Sequence, residues 1–383
     1  MKVAVIGYGH RMAEVMRRLA EVCPELEVAA VCDPAQARVR ETMATDGIAC
    51  KDCRFFDAPE TMLDAVRVDG VLIGTRCSLH ARLAALVLER SLPLFLEKPI
   101  ATTLEDAQAL WQANLRGGRP PVVVSFPLRL SALAREAKSI VDSGRLGEIA
   151  QVQAVNNVPY GPGYFQRWYR DEAETGGLFL QKATHDLDVV NALLGMRPTE
   201  VFAMTSKQIY HGQEPTGQRC DRCAKTDSCP ESPQNLWEYF GEKRKDLGCC
   251  FAQDTGNEDS GSALIRYPNG VHCSYSQNFF ARKASAKRMI RLLGYRGSLE
   301  FDWHTNQIKV CMHDSGIVET REVPPGPSGH SGGDAALVRA FSRCVLRGMD
   351  SPSPLEAGMD SVLTCLAARE SAQTRRIVEV LAY

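Results

Sequence analysis

The sequence predicts an α/β protein: an N-terminal Rossmann domain with a doubly wound parallel sheet, then a C-terminal α+β domain with a large, mostly antiparallel open sheet. Three observations predict it. The chain opens on an apolar run, Val3 to Ile6, that leads directly into Gly7-Tyr8-Gly9. Short apolar runs and helical patterns then alternate to about residue 115, as in a βαβ succession. Beyond Ile149 strand patterns dominate. A length of 383 residues suits about two cores. The helix-breaking run Gly117-Gly118-Arg119-Pro120-Pro121 marks the boundary, giving domains 1–120 and 121–383.

The first strand is apolar on both faces, as a buried parallel strand must be. The helix after it shows Met12, Val15, Met16, Leu19 and Ala20 at three- and four-residue spacing. A second apolar run, Val28 to Cys32, ends in Asp33. Strand, glycine turn, helix, strand and acid is the order of a dinucleotide fingerprint. Gly7 permits the tight turn, Gly9 lets the backbone approach a pyrophosphate, and the helix N-terminus supplies free N–H groups. Asp33 is placed to accept hydrogen bonds from the adenosine ribose hydroxyls. It would also repel a 2′-phosphate, so NAD is favoured over NADP. Met12 stands where the fingerprint has its third glycine, and there it loosens helix–strand packing. The succession continues with strand 70–73, a helix over about 79–90, strand 93–96 and a helix over about 104–115.

Strand 93–96 ends in Glu97-Lys98-Pro99, which sets a lysine at the carboxyl end of a parallel strand, where ligands of such sheets bind. The bond before Pro99 is a candidate for cis geometry. With this motif the sequence resembles the Gfo/Idh/MocA family (glucose-fructose oxidoreductase and inositol dehydrogenase), in a subgroup with a cysteine-rich insertion. Thr75-Arg76-Cys77-Ser78-Leu79-His80, Gly176-Gly177-Leu178 and Thr184-His185-Asp186-Leu187-Asp188 support the likeness over the whole chain. The resemblance implies cofactor contacts from Gly7, Gly9, His10, Arg11, Asp33, Thr75, His80, Glu97 and Lys98. It implies that Lys98 holds the reacting oxygen and that His185 is the general acid/base. Elementary chemistry agrees: removing hydride from an alcohol carbon needs a base for the hydroxyl proton and a cation for the developing alkoxide. Many relatives carry an aspartate four residues before the histidine, where this chain has Gln181. Lys182 follows, a second cation suited to a carboxylate or an acidic sugar. The missing carboxylate leaves a different substrate or weak dehydrogenase activity open.

In the second domain strands are expected at 149–158, 200–208, 261–267, 271–278, 288–293, 299–303 and 308–312, with Pro268-Asn269-Gly270 as a hairpin turn. One sheet face is left to pack on a second subunit, so a homodimer or homotetramer through this sheet is expected. An insertion over about 212–256 holds Cys220, Cys223 and Cys229, with Cys249-Cys250 about 20 residues later. Cys220, Cys223, Cys229 and Cys250, or Cys249 as the alternative fourth ligand, suit a structural zinc. A reduced loop or a redox disulfide is the other reading. Arg129, Tyr164, Trp168, Gln181, Lys182 and His330 are candidate substrate contacts, the aromatic pair by stacking on a sugar face. The C-terminal stretch 355–381 is expected to be core helix, with Leu363, Leu366, Ile377 and Leu381 in its stripe.

Composition excludes several classes. Forty-five basic against 46 acidic residues leave a formal charge of −1 and no footprint for nucleic acid. No apolar run approaches the roughly 18 residues of a membrane span, and a cytoplasmic setting is expected. The sequence thus reads as an NAD-dependent oxidoreductase acting on a secondary alcohol or ketone of a sugar, polyol or sugar derivative. An NAD-dependent glycoside hydrolase working through transient oxidation is one alternative, and a non-catalytic NAD-sensing or assembly protein is another.

Overall fold

The structure, a computed structural model, describes residues 1–48, 50, 52–235, 247–326 and 329–383. The chain divides into two compact units. The first contains Met1–Glu136, Pro324–Leu363 and Ala382–Tyr383; the second contains Ala137–Val323 and Thr364–Leu381. The single boundary expected at 120/121 cuts the sequence once, whereas these units interleave. The segment 324–363 joins the first unit for a packing reason. Phe341 of the helix Gly333–Arg347 meets Phe95 edge to face at 5.8 Å. A Cβ on Gly333 would lie 1.9 Å from the Pro127 carbonyl oxygen, so backbone packs directly on backbone there.

In the first unit six strands form a sheet: β1 Lys2–Ile6, β2 Glu27–Cys32, β3 Arg54–Phe56, β4 Gly70–Ile73, β5 Leu94–Leu96 and β6 Val122–Val124. Their order is β3-β2-β1-β4-β5-β6 and every pairing is parallel. β4, β5 and β6 are buried along their whole length, which is why they read as unbroken apolar runs. Helix α1, His10–Val22, follows β1, and its buried face is Met12, Ala13, Val15, Met16 and Leu19. The other helices of this succession are α2 Gln36–Thr45, α3 Pro59–Ala65, α4 His80–Leu88 and α5 Leu104–Arg116. Thr103 caps α5 by accepting a hydrogen bond from the Asp106 N–H at 3.1 Å.

In the second unit nine strands pair in the order β14-β13-β12-β11-β7-β10-β9-β8-β15. They are β7 Ile149–Asn157, β8 Glu200–Ser206, β9 Ser260–Arg266, β10 His272–Asn278, β11 Lys287–Gly294, β12 Gly297–Asp302, β13 Gln307–Met312, β14 Val318–Glu322 and β15 Val378–Glu379. Among the described residues of this sheet, β7 and β10 are the one parallel pair. The expected hairpin is present: Asn269 and Gly270 take φ of 62° and 84° between β9 and β10. Burial alternates strictly along β9, β10 and β11, so each turns one set of side chains inward. The long helix Leu178–Leu194 (α9 in chain order, after α6 Ala132–Asp142 and the short turns Gly163–Gln166 and Glu172–Thr175) is buried nearly all round.

One expectation needs correction. The final helix ends at Thr374, and the chain continues into β15; Ile377 is 65% and Leu381 44% exposed, so neither is core. β14 escaped notice because it is an edge strand of largely exposed charged residues with no apolar alternation. No helix among the described residues is long and apolar enough to cross a membrane.

Candidate functional site

The carboxyl edge of the parallel sheet gathers the fingerprint. Gly7 takes φ +78°, and a Cβ there would stand 2.6 Å from Thr75 Cγ2, so no other residue fits between β1 and the turn after β4. The space beside Gly9 is open: a Cβ would meet nothing nearer than the Gly74 carbonyl at 4.0 Å. Gly9 is the N-cap of α1 and makes no side-chain cap hydrogen bond to its first turn. That cradle and the uncapped helix end fit a dinucleotide pyrophosphate. Asp33, at the end of β2, accepts hydrogen bonds from the Tyr8 and Ala35 N–H groups at 2.7 and 2.8 Å, which ties it to the glycine turn. Arg38 lies 3.7 Å from the same carboxylate, a cation that the sequence reading missed. Met12, the misfit in the fingerprint, has its own partner: a Cβ on Gly74 would fall 2.7 Å from Met12 Cε. The glycine that makes room for the helix stands here just after β4.

Side chains brace this edge. Arg11 donates to Glu97 at 3.1 Å, to Glu14 at 3.2 Å, to Ser125 at 3.3 Å and to Asp334 at 2.5 Å. Asp334 in turn holds the His330 ring at 2.9 Å. Burial opposes ionisation of Asp334, yet the His330 hydrogen bond and the Arg11 charge outweigh it and hold the carboxyl well below its usual range. Glu97 and Arg11 therefore fix the turn on which Lys98 stands. The Lys98–Pro99 bond is cis, and Lys98 is half-buried. His80 is 1% exposed, with Nδ1 2.8 Å from the Pro99 carbonyl and Nε2 3.3 Å from that of Thr75. Burial lowers its pKa, so the neutral ring joins the Thr75 and Lys98 turns. His10 is exposed at the start of α1. Arg129 donates to the Pro352 carbonyl at 2.9 Å.

The second unit carries a separate buried polar cluster. On α9, Gln181, Lys182, His185 and Asp186 fall at one-turn spacings on one side of the helix. All four are buried. Opposite them the inward face of the sheet is mostly apolar, but one cross-strand row is polar: Asn156 of β7 pairs with Gln277 of β10 and with Arg288 of β11. Asp186 accepts from Arg288 Nε at 2.7 Å, from Asn156 at 2.7 Å and from the Tyr275 hydroxyl at 2.9 Å. Lys182 donates to the Tyr160 and Tyr164 hydroxyls at 2.7 and 3.2 Å. Burial works to raise the pKa of Tyr160, but the charges of Lys182 and Arg288 prevail and lower it. Trp168 stacks on Tyr169 at 3.8 Å, and Tyr164 packs against Tyr169 and Phe279. The sequence reading singled out Lys182, His185, Tyr164 and Trp168 but not Asn156, Tyr275 or Arg288. An inward parity shared with apolar neighbours was the available signal for the sheet residues.

The cysteines of the insertion are partly gathered. One bridge, Arg219 to Gly248, brings Cys220 beside the 247–249 segment. The Cys220 N–H donates to the Leu247 carbonyl and the Cys249 N–H to that of Gln218. Cys223, Cys229 and Cys249 all lie close enough to Cys220 to help raise its thiol pKa to about 12, with burial the larger cause. Cys250 instead packs with Phe165, Tyr210 and Phe279 in an apolar cluster, which leaves Cys249 as the better fourth thiol. Among the described residues, no three His, Cys, Asp or Glu side chains are arranged to hold a metal ion. The part of the insertion at 236–246 lies outside the described residues.

Residues 1–125 match the family model described as "Oxidoreductase family, NAD-binding Rossmann fold", and residues 138–380 match "Oxidoreductase family, C-terminal alpha/beta domain". The chain is 27% identical over 345 residues to "Putative oxidoreductase YteT" of Bacillus subtilis (strain 168), covering 80% of each. It is 32% identical over 214 residues to an inositol 2-dehydrogenase of Streptomyces avermitilis, across 55% of this chain and 58% of that one. In fold it is similar to the crystal structure of an oxidoreductase domain protein from Kribbella flavida, with TM-score 0.80, 18% identity and 99% of both chains covered. The two matched models leave no large part of the chain outside them, and the glycine turn and Lys98 edge lie within the first. The chain therefore belongs to the Gfo/Idh/MocA oxidoreductase family.

Proposed function

We propose that this protein transfers hydride between NAD and a secondary alcohol or ketone of a sugar, polyol or sugar derivative. The observation that carries the reading is the single sheet edge on which Gly7, Gly9, Asp33, Thr75 and the braced Lys98 turn occur together. Gly7, Gly9 and the α1 N-terminus would hold the pyrophosphate, Asp33 the adenosine ribose, with His10, Arg11, Thr75, His80 and Glu97 shaping the remainder. The carboxylate of Asp33 favours NAD over NADP. When bound, the nicotinamide supplies the hydride acceptor. Lys98 holds the substrate oxygen and stabilises the developing alkoxide; His185 takes its proton. Substrate contacts fall to Tyr164, Trp168, Gln181 and Lys182, with Arg129 and His330 as outer members.

The test is Lys98→Met. Turnover of a sugar or polyol panel, followed by NADH absorbance, falls by about 100-fold or more, while NAD binding measured by calorimetry persists. A fully active variant removes Lys98 from the reaction. Cleavage of a glycoside without net NADH would assign the hydrolase reading instead.

Two finer assignments accompany this one. The thiols of Cys220, Cys223, Cys229 and Cys249 suit a structural zinc that would draw their side chains together. Their shared electrostatic neighbourhood supports it, and metal analysis of purified protein reading near one zinc per chain tests it. A zinc-free, fully folded protein overturns it. The outward face of the second unit's sheet supports a homodimer or homotetramer, because Met204 and Leu264 are 65% and 58% exposed there.

A further inference from the structure

The buried cluster of the second unit is electrostatically unbalanced. Lys182 is 4% and Arg288 9% exposed, and the one carboxylate among them, Asp186, is 3% exposed. Asp186 is already saturated by Arg288 Nε, Asn156 and Tyr275. The Lys182 ammonium meets only the two phenols, Tyr160 and Tyr164, and no carboxylate among the described residues forms an ion pair with it. Arg288 Nη2 is buried with no hydrogen-bond partner. Lys182 and Arg288 share one ion-paired carboxylate, Asp186, and among the described residues no other carboxylate forms an ion pair with either cation, so the pair carries an excess positive charge held out of water. Such a charge is expensive unless something pairs with it. The cluster reaches solvent at Tyr160, which is 39% exposed. Lys182 also stands three residues before His185 on one side of α9, so an anion held there would be anchored within one turn of the proposed acid/base.

We infer that the substrate carries an anionic group, a carboxylate, which Lys182 binds together with the free Nη2 of Arg288 and the phenols of Tyr160 and Tyr164. The inference rests on the sugar or polyol dehydrogenase reading and narrows it to sugar acids. A monoanionic carboxylate matches the single excess charge, whereas a phosphate dianion overbalances it. The phenols fit the same task, since each can donate to a carboxylate oxygen while Lys182 holds the charge.

The experiment compares matched substrates with the NAD-loaded enzyme at fixed ionic strength: glucuronate, galacturonate and gluconate against glucose, galactose and glucitol, with glucose 6-phosphate as a third arm. The expected kcat/KM for the best acid exceeds that of its neutral counterpart by about 100-fold. Lys182→Met collapses that acid-to-neutral ratio, and Lys182→Arg retains most of it. The wild-type comparison stands even if the Met variant does not fold. A neutral substrate turned over as well as its acid overturns the anionic inference and leaves the dehydrogenase reading intact. A preference for the phosphate arm overturns the carboxylate. If no compound is turned over, the dehydrogenase reading fails. Calorimetry on the NAD-loaded protein then decides the inference by itself: acids binding at least 10-fold tighter than neutral sugars support it, and equal binding overturns it.

Discussion

At the residue scale, the fingerprint's misfit is a matter of packing. Met12 occupies the usual glycine place because Gly74 yields the room, its missing Cβ standing 2.7 Å from Met12 Cε. Gly74→Ala should therefore cost about 1–3 kcal/mol by overpacking, read from urea denaturation. Met12→Ala in the same chain should recover part of the loss, because residues in contact do not act additively. Equal losses in the single and double variants would break the pairing. Asp334 makes a second case. Its pKa is held down despite burial by the His330 hydrogen bond and the Arg11 charge, so the ionised form stabilises the fold. A depressed carboxylate contributes fully above its unfolded value, roughly 4, and loses that contribution as the pH falls towards the folded value. Because Arg11 is 29% exposed, breaking the pair should cost less than a fully buried one, about 2 kcal/mol at pH 7 for Asp334→Asn. The gap from wild type should close in denaturation curves taken below pH 4. A constant gap down to pH 3 would show that the loss is not electrostatic.

At the scale of the element, α9 carries the most chemistry and has an unusual start. Its N-cap is Gly177, which offers no side-chain bond, and the Glu258 carboxylate reaches in from the β9 side to accept the Phe179 N–H. Burial pushes the Glu258 carboxyl above its usual range, against the backbone hydrogen bonds that favour its charge. A raised folded pKa means stability that is present below the unfolded value and lost as the pH rises through the folded one. Glu258→Gln keeps an acceptor without the charge, so it should match wild type near pH 7 to within about 1 kcal/mol. Glu258→Ala leaves the helix N–H without its partner and should cost about 1–3 kcal/mol, measured by thermal or urea melts at pH 7 and pH 5. Gln losing as much as Ala would mean that the charge, and not the acceptor, serves the helix. Elements of this kind show why legibility was uneven. Apolar runs and turn residues announced β1, β2, β4 and β5, α1, α4, α5 and the β9–β10 hairpin, since each has a local period or a local turn, whereas the three-residue β3 has neither. Lys98 and His185 stood out through motif context. Arg288, Asn156 and Tyr275 did not: their role comes from cross-strand register and from a helix more than 80 residues away in the sequence for two of them, which no local pattern encodes. Asp334 was hidden for the same reason, being joined to Arg11 across 323 residues.

At the scale of the whole molecule, the interleaved units follow from the same long-range packing. Phe341 and Asp334 bind a late segment into the first unit, and β15 returns a few residues near the C-terminus to the second. No linker composition marks such returns, so a single boundary was all the sequence suggested. The sheet of the second unit poses the last question. Its inward face is filled by α9, whereas the outward face presents Met204 and Leu264 with the half-buried Phe202, Val155 and Met289, among serines and Gln153. Strands facing only water favour polar residues at such positions, and two large apolar side chains at 65% and 58% exposure on adjacent strands β8 and β9 depart from that rule. Covering them with a second copy would remove apolar surface from water at about 25 cal/mol per Å², and a self-complementary face leads to a closed dimer or, used with another contact, a tetramer. Light scattering of the purified protein at micromolar concentration should then read a multiple of one chain. Met204→Asp and Leu264→Asp, each placing a charge on that face, should shift the mass towards a single chain while circular dichroism stays unchanged. A wild-type protein running at the mass of one chain, or a double variant that keeps its oligomer, would assign the exposed face some other use.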